Sequence, residues 1–491
     1  MRLTPAAAPL ALLLALSLPA CAPEGAARGR TVLFASGADL QSANPLVTLH
    51  PLARQVQRYV LLTTLVRYDD SLAARPYLAR RWTWSGDRRA LTFHLTSALR
   101  WHDGRRTTAR DVAWTLDAAR DTATGYPRLV DVAGIGGVEA PDDTTVIVRF
   151  REAVPGGAAS VPDVFTDLAI VPRHLLDTVP RARLRQAAWN ERPVGNGPFR
   201  FVAHEPNRRW VFEANPDFPM ELGGPPRLER LVVAVVDEPT TKLAALTAGE
   251  LDFAGIQPAH ARFVRGSPHL SVLDYPLLFT YGVVLDTRRP PFDDPRVRRA
   301  FSLAVDRREI VDGYLFGFGT TAEGPLPSAV PEALALPPTS YAPDSARALL
   351  GGRRVAVELL TVGSGEAALE QMLQAQLRRA GFDVTIRQLE LSAFLDRVYG
   401  ARRDFTAAVL GIPGDLGFGY LGPLAELAGT TVPRDVRAAQ RRLAEELPVV
   451  FLYHARGVQG ANRRVEGVRM DLRGELPTVA EWRIAEVQAP R

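Results

Sequence analysis

The chain has 491 residues, 46% hydrophobic and 23% charged, which is ordinary for globular protein and excludes wholesale disorder; the length suits roughly two to four domain-sized units. The net charge of +5 rests on arginine, with Lys242 the sole lysine, and the arginines are scattered among acids rather than gathered into a dense basic run. That pattern, with abundant Ala, Pro and Gly, reflects a GC-rich genome and argues against a nucleic-acid surface.

In chain order, the first element is an export signal over residues 1–20. Arg2 precedes an apolar run from Ala6 to Leu18, and Leu18-Pro19-Ala20-Cys21 follows. A basic start, a short apolar centre and small residues before a cut site describe a secretory signal, and the run is too short to span a bilayer comfortably. Cys21 is the only cysteine, so an internal disulfide is excluded, and a free thiol in an oxidising compartment is a liability unless modified. Leu18–Cys21 resembles a bacterial lipobox, which implies that Cys21 becomes a lipidated N-terminus; the plainer alternative is a chance cysteine in an ordinary signal. Residues 21–30 then form a lipidated tether, and no later apolar run approaches membrane length. The expectation is an exported protein, lipid-anchored in the periplasm or at the cell surface.

Ordered sequence starts at Thr31 with the strand-like TVLFAS. Thr108 is placed to cap a helix, with Asp111 three residues on at the positive end of the helix dipole and Val112, Leu116 and Ala119 on one face. Asp294 caps a second helix with Pro295 at its first position; Val297, Ala300, Phe301, Ala304 and Val305 make its buried stripe, and Arg296, Arg298 and Arg299 are expected to face outward. The segment from Val355 to Gly411 is the most readable. Val355–Val362 is a strand. Gly365–Gly381 is a helix with Leu369, Met372, Leu373 and Gln376 at helical spacing and a closing glycine. Phe382–Leu389 is a strand, Leu391–Gly400 a helix with Ser392 as its cap, and Asp404–Gly411 a third strand. This β-α-β-α-β order predicts a parallel sheet with right-handed crossovers, in which ligands sit beyond the carboxyl ends of the strands. The glycine-rich GDLGFGYLG, Gly414–Gly422, begins just past the third strand.

Catalytic and metal motifs are missing from the sequence. None of the eight histidines is spaced as a metal ligand, and His102-Asp103 reads as a turn because adjacent residues do not face each other. Gly363-Ser364-Gly365 is not a nucleophile elbow, no dinucleotide fingerprint follows a strand, and Lys242 does not follow a glycine. No cofactor or metal is expected, and an exported hydrolase is disfavoured. Gly414–Gly422 offers a carboxylate and no cation, so Asp415 repels phosphate and suits a positively charged ligand group. The glycines let backbone approach a ligand, with Phe418 or Tyr420 as a pocket wall. The alternative is a surface turn in which Asp415 serves the turn itself.

Several stretches, taken in order, resemble the bacterial extracellular solute-binding proteins of family 5, the peptide- and nickel-type subunits of ABC importers. Ala43–Leu46 is similar to that family's Leu-Asp/Asn-Pro signature. Leu62–Leu116 follows its pattern closely, with P-x-L-A at Pro76–Ala79, T-F-x-L at Thr92–Leu95, W-H-D-G at Trp101–Gly104 and T-A-x-D-V at Thr108–Val112. Val194–Phe201 resembles the G-T-G-P-Y/F segment with Asn196 at the threonine position. Thr247–Ala254, Pro290–Val311, Gly317–Pro327, Tyr341–Leu350 and Ala439–His454 each have counterparts in order.

The resemblance implies an α/β, two-lobed periplasmic-binding-protein fold (type II, cluster C-like). A first lobe would span 31–277 with an inserted subdomain at about 50–190, a second lobe 278–449, and a return to the first lobe 450–491, with a hinge near Leu278 and Val449. It implies a monomeric, non-enzymatic subunit that captures oligopeptides or a similar small solute and delivers them to ABC permease subunits. It gives Asp415 the role of pairing with a peptide's α-amino group; Gly414, Phe418, Tyr420 and Tyr281 complete the expected ligand-contacting set. Two features depart from the pattern. Asp286 stands where an asparagine is usual, and only about twenty residues separate Asp415 from Ala438, where the family usually inserts several dozen. The departure keeps open a non-peptide ligand (a metal chelate, a sugar oligomer or haem) or a degenerate sensor or scaffold.

Overall fold

A computed structural model describes residues 29–363, 365–400 and 403–485. Its backbone is one mixed sheet of eleven strands: β1 (Thr31–Ser36), β2 (Phe199–Glu205), β3 (Arg209–Ala214), β4 (Arg230–Val235), β5 (Phe253–Gly255), β6 (Leu270–Leu285), β7 (Gly319–Thr321), β8 (Val355–Val362), β9 (Phe382–Leu389), β10 (Ala407–Pro413) and β11 (Val449–Asn462). The order across it is β9-β8-β10-β6-β11-β5-β1-β4-β3-β2, with β7 paired to β11. The architecture is the expected α/β one, with the parallel β9-β8-β10 set at one end and β1 parallel to β4 at the other.

Two long antiparallel strands, β6 and β11, join the ends. Their C-terminal and N-terminal portions respectively pack on one side of the molecule, where Val283, Leu285, Val450 and Leu452 share a core with Leu359, Leu373 and Phe382. On the other side Ala461 joins Phe34, Phe253 and Trp482 in a separate core. The ladder between the two strands is irregular between Pro276 and Thr280, so Leu278 lies where the chain passes from one body to the other. Trp482, fully buried, packs at a tilt against Phe253 with ring centroids 4.8 Å apart and ties the C-terminal segment to β5. Burying such an aromatic against others contributes several kcal/mol, and truncating it to alanine costs about 3–5 kcal/mol.

Between β1 and β2 the chain forms a separate four-stranded antiparallel sheet, Ala79–Trp84, Ala90–Leu95, Thr145–Phe150 and Ile135–Glu139. The helix Ala109–Arg120 packs beside it, and its start is as expected: the Asp111 carboxylate accepts from Thr108 N at 2.8 Å. His102 and Asp103 form a turn and point apart. His102 is wedged between the backbones of Gly195 and Gly197, where burial pushes its pKa down to about 4, while Asp103 meets His174 at 2.7 Å. The glycines of VGNGPFRF are required sterically, since a Cβ on Gly195 would lie 2.0 Å from the Leu61 carbonyl oxygen.

The helix Pro295–Leu303 is capped by Asp294, which accepts from Arg296 N at 2.9 Å. Arg298 departs from the expectation that it faces outward. It is buried, donating to the carbonyls of Phe292 and Glu446, each at 2.7 Å. The Glu446 carbonyl closes a helix and lacks an intrahelical partner, and a guanidinium supplies donors for such groups. The helix Leu391–Tyr399 is capped by Glu390, accepting from Ser392 N at 2.9 Å, rather than by Ser392 itself. Asp286 is buried and bonded by Arg288 at 2.7 Å.

Candidate functional site

A cavity of about 180 Å³ lies where the two bodies face each other. One wall is the start of the glycine-rich loop. Gly414 N donates to Leu278 O at 2.7 Å, so the loop hangs from the irregular stretch of β6. Phe418 N donates to Asp415 O at 3.2 Å, closing a turn, and Phe418 itself sits at φ +57°, a strained backbone setting for a large side chain. The turn uses only Asp415's backbone. Among the described residues no group donates to its carboxylate, which lines the cavity instead.

The predicted loop residues divide by role. Gly414 and Asp415 line the cavity. Tyr420 sits beneath them, its ring 3.3 Å from the point where a Gly414 Cβ would be, with its hydroxyl donating to Pro325 O at 3.2 Å. Phe418 packs against the core beside Leu421 and Leu424. Tyr281 is not brought to this cavity: it lies on β6, stacked on Tyr453 with centroids 4.8 Å apart.

The facing wall comes from residues that sequence reasoning missed. Arg54 and Arg58 stand four apart on the helical run that starts at Pro51, so they share one face. Both bond Asp167, at the end of the short helix Val164–Asp167, and Arg128 reaches the same carboxylate at 3.2 Å. Burial alone would raise the Asp167 pKa; the guanidiniums of Arg58, Arg54 and Arg128 outweigh it and hold it at about 2. Arg473, from the C-terminal segment, is fixed by Asp471 and donates to Tyr68 O at 3.0 Å. Asp163 accepts from the Tyr68 hydroxyl. Burial, with help from Asp167 and Asp415, pushes its pKa up to about 7 against the opposing effects of Tyr68 and Arg128.

The two walls meet at Gly417. A Cβ there would lie 3.2 Å from Asp415 Oδ1 and 3.4 Å from Asp163 Oδ2. One carboxylate from each side therefore stands close to Gly417, where a ligand ammonium is attracted by both. Like charges so placed repel unless a cation or a proton intervenes. Among the described residues no group of three or more His, Cys, Asp or Glu could hold a metal ion, and no helix is long and apolar enough to cross a membrane. Cys21 lies outside the described residues.

Two bodies bridged by paired strands, with a polar cavity between them, define a ligand-capturing protein that encloses its solute. The sequence agrees: residues 73–421 match the family model for bacterial extracellular solute-binding proteins, family 5, and the chain belongs to that family. A Brucella ovis protein described as an ABC transporter peptide-binding protein is 27% identical over 408 residues, covering 78% of this chain and 76% of that one. The oligopeptide-binding protein AppA of Bacillus subtilis is 23% identical over 478 residues, 87% of each chain. Its structure in complex with a nonapeptide superimposes with a TM-score of 0.74 at 21% identity, over 94% of this chain and 99% of that one. The ABC transporter substrate-binding protein CtaP of Listeria monocytogenes superimposes with a TM-score of 0.80 at 20% identity, over 94% and 100% of the two chains. At these identities the superpositions speak for the shared two-lobed fold. The family consists of solute-binding proteins rather than enzymes.

Proposed function

We propose that the chain is the substrate-binding subunit of an ABC importer that captures short peptides outside the cytoplasmic membrane and delivers them to the permease. The observation that carries this reading is the Asp415 carboxylate, which accepts no hydrogen bond among the described residues and lines the cavity between the lobes. A desolvated carboxylate against a peptide's α-ammonium is a strong, charge-assisted contact. Asp163, flanking the same point from the first lobe, supplies the second oxygen, so the ammonium draws the two lobes together. Ligand then stabilises the closed state by its greater affinity for that state, with the irregular stretch of β6 around Leu278 as hinge. Relatives described as peptide-binding proteins support the ligand class.

The protein acts as a monomer without catalysis, held at the membrane by a lipid on Cys21. Cys21→Ser is expected to release it from membranes, and retention would count against the anchor. The ligand is tested by native mass spectrometry of protein purified from its host: a co-purifying mass that fragments as a peptide supports the reading, and a metal chelate, saccharide or haem in its place rejects it.

A further inference from the structure

A second cavity, of about 640 Å³, adjoins the first, and Arg58, Tyr59, Arg67, Tyr68 and Arg473 border both. Apart from that shared border it belongs to the first lobe and the C-terminal segment. Seven arginines and three carboxylates line it. The carboxylates are already engaged: Asp69 by Arg75 at 2.7 Å, and Asp70 and Glu481 by Arg469 at 3.9 and 3.6 Å. Arg58, Arg473 and Arg483 are neutralised from outside the chamber by Asp167, Asp471 and Glu466.

Two arginines remain. Arg67 and Arg227 have no carboxylate within ion-pair distance among the described residues, and both are exposed to the chamber. Arg67 rests its guanidinium 5.2 Å from the centroid of the Tyr77 ring, which leaves its planar edge of donors free while an aromatic face supports it. A guanidinium held this way matches a carboxylate in a two-point contact. Arg67 lines both cavities.

We infer that this chamber is an anion-binding extension of the cleft, and that the chain selects peptides with a free amino end and an acidic C-terminal portion, whose carboxylates are met by Arg67 and Arg227. The inference rests on the peptide reading above. Backbone contacts alone do not discriminate among side chains, whereas an excess of unneutralised guanidinium favours acidic residues and disfavours basic ones. The preference is electrostatic and weakens with ionic strength.

The test is calorimetry of the full-length protein at low and high salt with three peptides of equal length, Ala-Ala-Ala, Ala-Glu-Glu and Ala-Lys-Lys. The acidic peptide is expected to bind at least tenfold tighter than the neutral one, and the basic one more weakly than either, with the spread narrowing at high salt. The double variant Arg67→Gln, Arg227→Gln is expected to reduce the acidic-to-neutral ratio at least fivefold, and Arg67→Lys to retain part of it. Both residues are exposed and make no ion pair among the described residues, so folding is expected to persist, and the wild-type ratio is informative without any variant. Equal affinities for the three peptides overturn the anionic chamber and leave the peptide reading standing. Failure of all three peptides to bind, each with a free amine, overturns the peptide reading itself.

Discussion

The second-lobe wall of the cleft is one contiguous turn hung from the end of β10, whereas the first-lobe wall gathers Arg54, Arg58, Tyr68, Arg128, Asp163, Asp167 and Arg473 from separate segments. The first wall is largely paired before any ligand arrives. Three guanidiniums converge on Asp167, and Arg473 is clamped by Asp471. The loop wall's carboxylate, Asp415, accepts no hydrogen bond among the described residues, and only the Arg128 guanidinium across the cleft attracts it. One side of the trap is thus a rigid, charge-cross-linked anvil whose parts hold one another, and the other presents the group available to a ligand. Removing the shared anion Asp167 should damage the fold; removing Asp415 should damage binding.

The largest effect is expected at Asp167. Asp167→Ala leaves three partly buried guanidiniums without their shared anion, at a cost of about 3–5 kcal/mol in urea or thermal unfolding. Because its pKa is lowered in the folded state, its stabilisation is present at neutral pH and is lost as pH falls from its ordinary range through about 2. Next comes Asp415→Ala, with at least tenfold weaker peptide binding in calorimetry, about 1.4 kcal/mol, and stability changed by less than about 0.5 kcal/mol. Equal damage to stability by the two variants would erase the contrast between the walls.

A smaller effect concerns pH. Asp163 has a raised pKa, so its stabilising contribution is complete below the ordinary carboxylate range and is lost as pH rises through about 7. The groups that face it are Tyr68, Asp167, Arg128 and Asp415. A ligand ammonium favours the ionised form, so binding near pH 7 should release a fraction of a proton and affinity should climb between about pH 6 and 8. Calorimetry in two buffers of different ionisation enthalpy measures that proton; Asp163→Asn should abolish its release, and an unchanged release would remove Asp163 from the contact. The smallest effect is expected at Tyr281, which stacks on Tyr453 away from the cavity: Tyr281→Phe should change peptide affinity less than twofold.

The same contrast explains what could be read from sequence. The loop was legible because it follows β10 directly, and the strands β8 and β9 carry local alternation that marks their ends at Val355, Val362, Phe382 and Leu389. The anvil was not, because its pairs are distant: Arg54 and Asp167 are 113 residues apart, and Arg473 meets Tyr68 across 405. A local trace existed. Arg54 and Arg58 interrupt an apolar helix at a spacing of four, and Asp163 and Asp167 do so in another apolar stretch, which marks a charged face turned inward without naming its partner. Arg298 escaped for a related reason, since its partner is a helix-terminal carbonyl 148 residues away. Phe418 and Tyr420 fit a pocket wall by residue type, but residue type does not say that a φ of +57° turns one of them into the core.

The account stands on a peptide α-ammonium meeting Asp415. The most direct test compares one tripeptide, with its amine free and with its amine acetylated, titrated into the wild type and into Asp415→Ala. The account predicts at least tenfold loss on acetylation in the wild type and a much smaller loss in the variant, where only Asp163 still faces the amine. Equal affinity for the free and acetylated peptides in the wild type would contradict it.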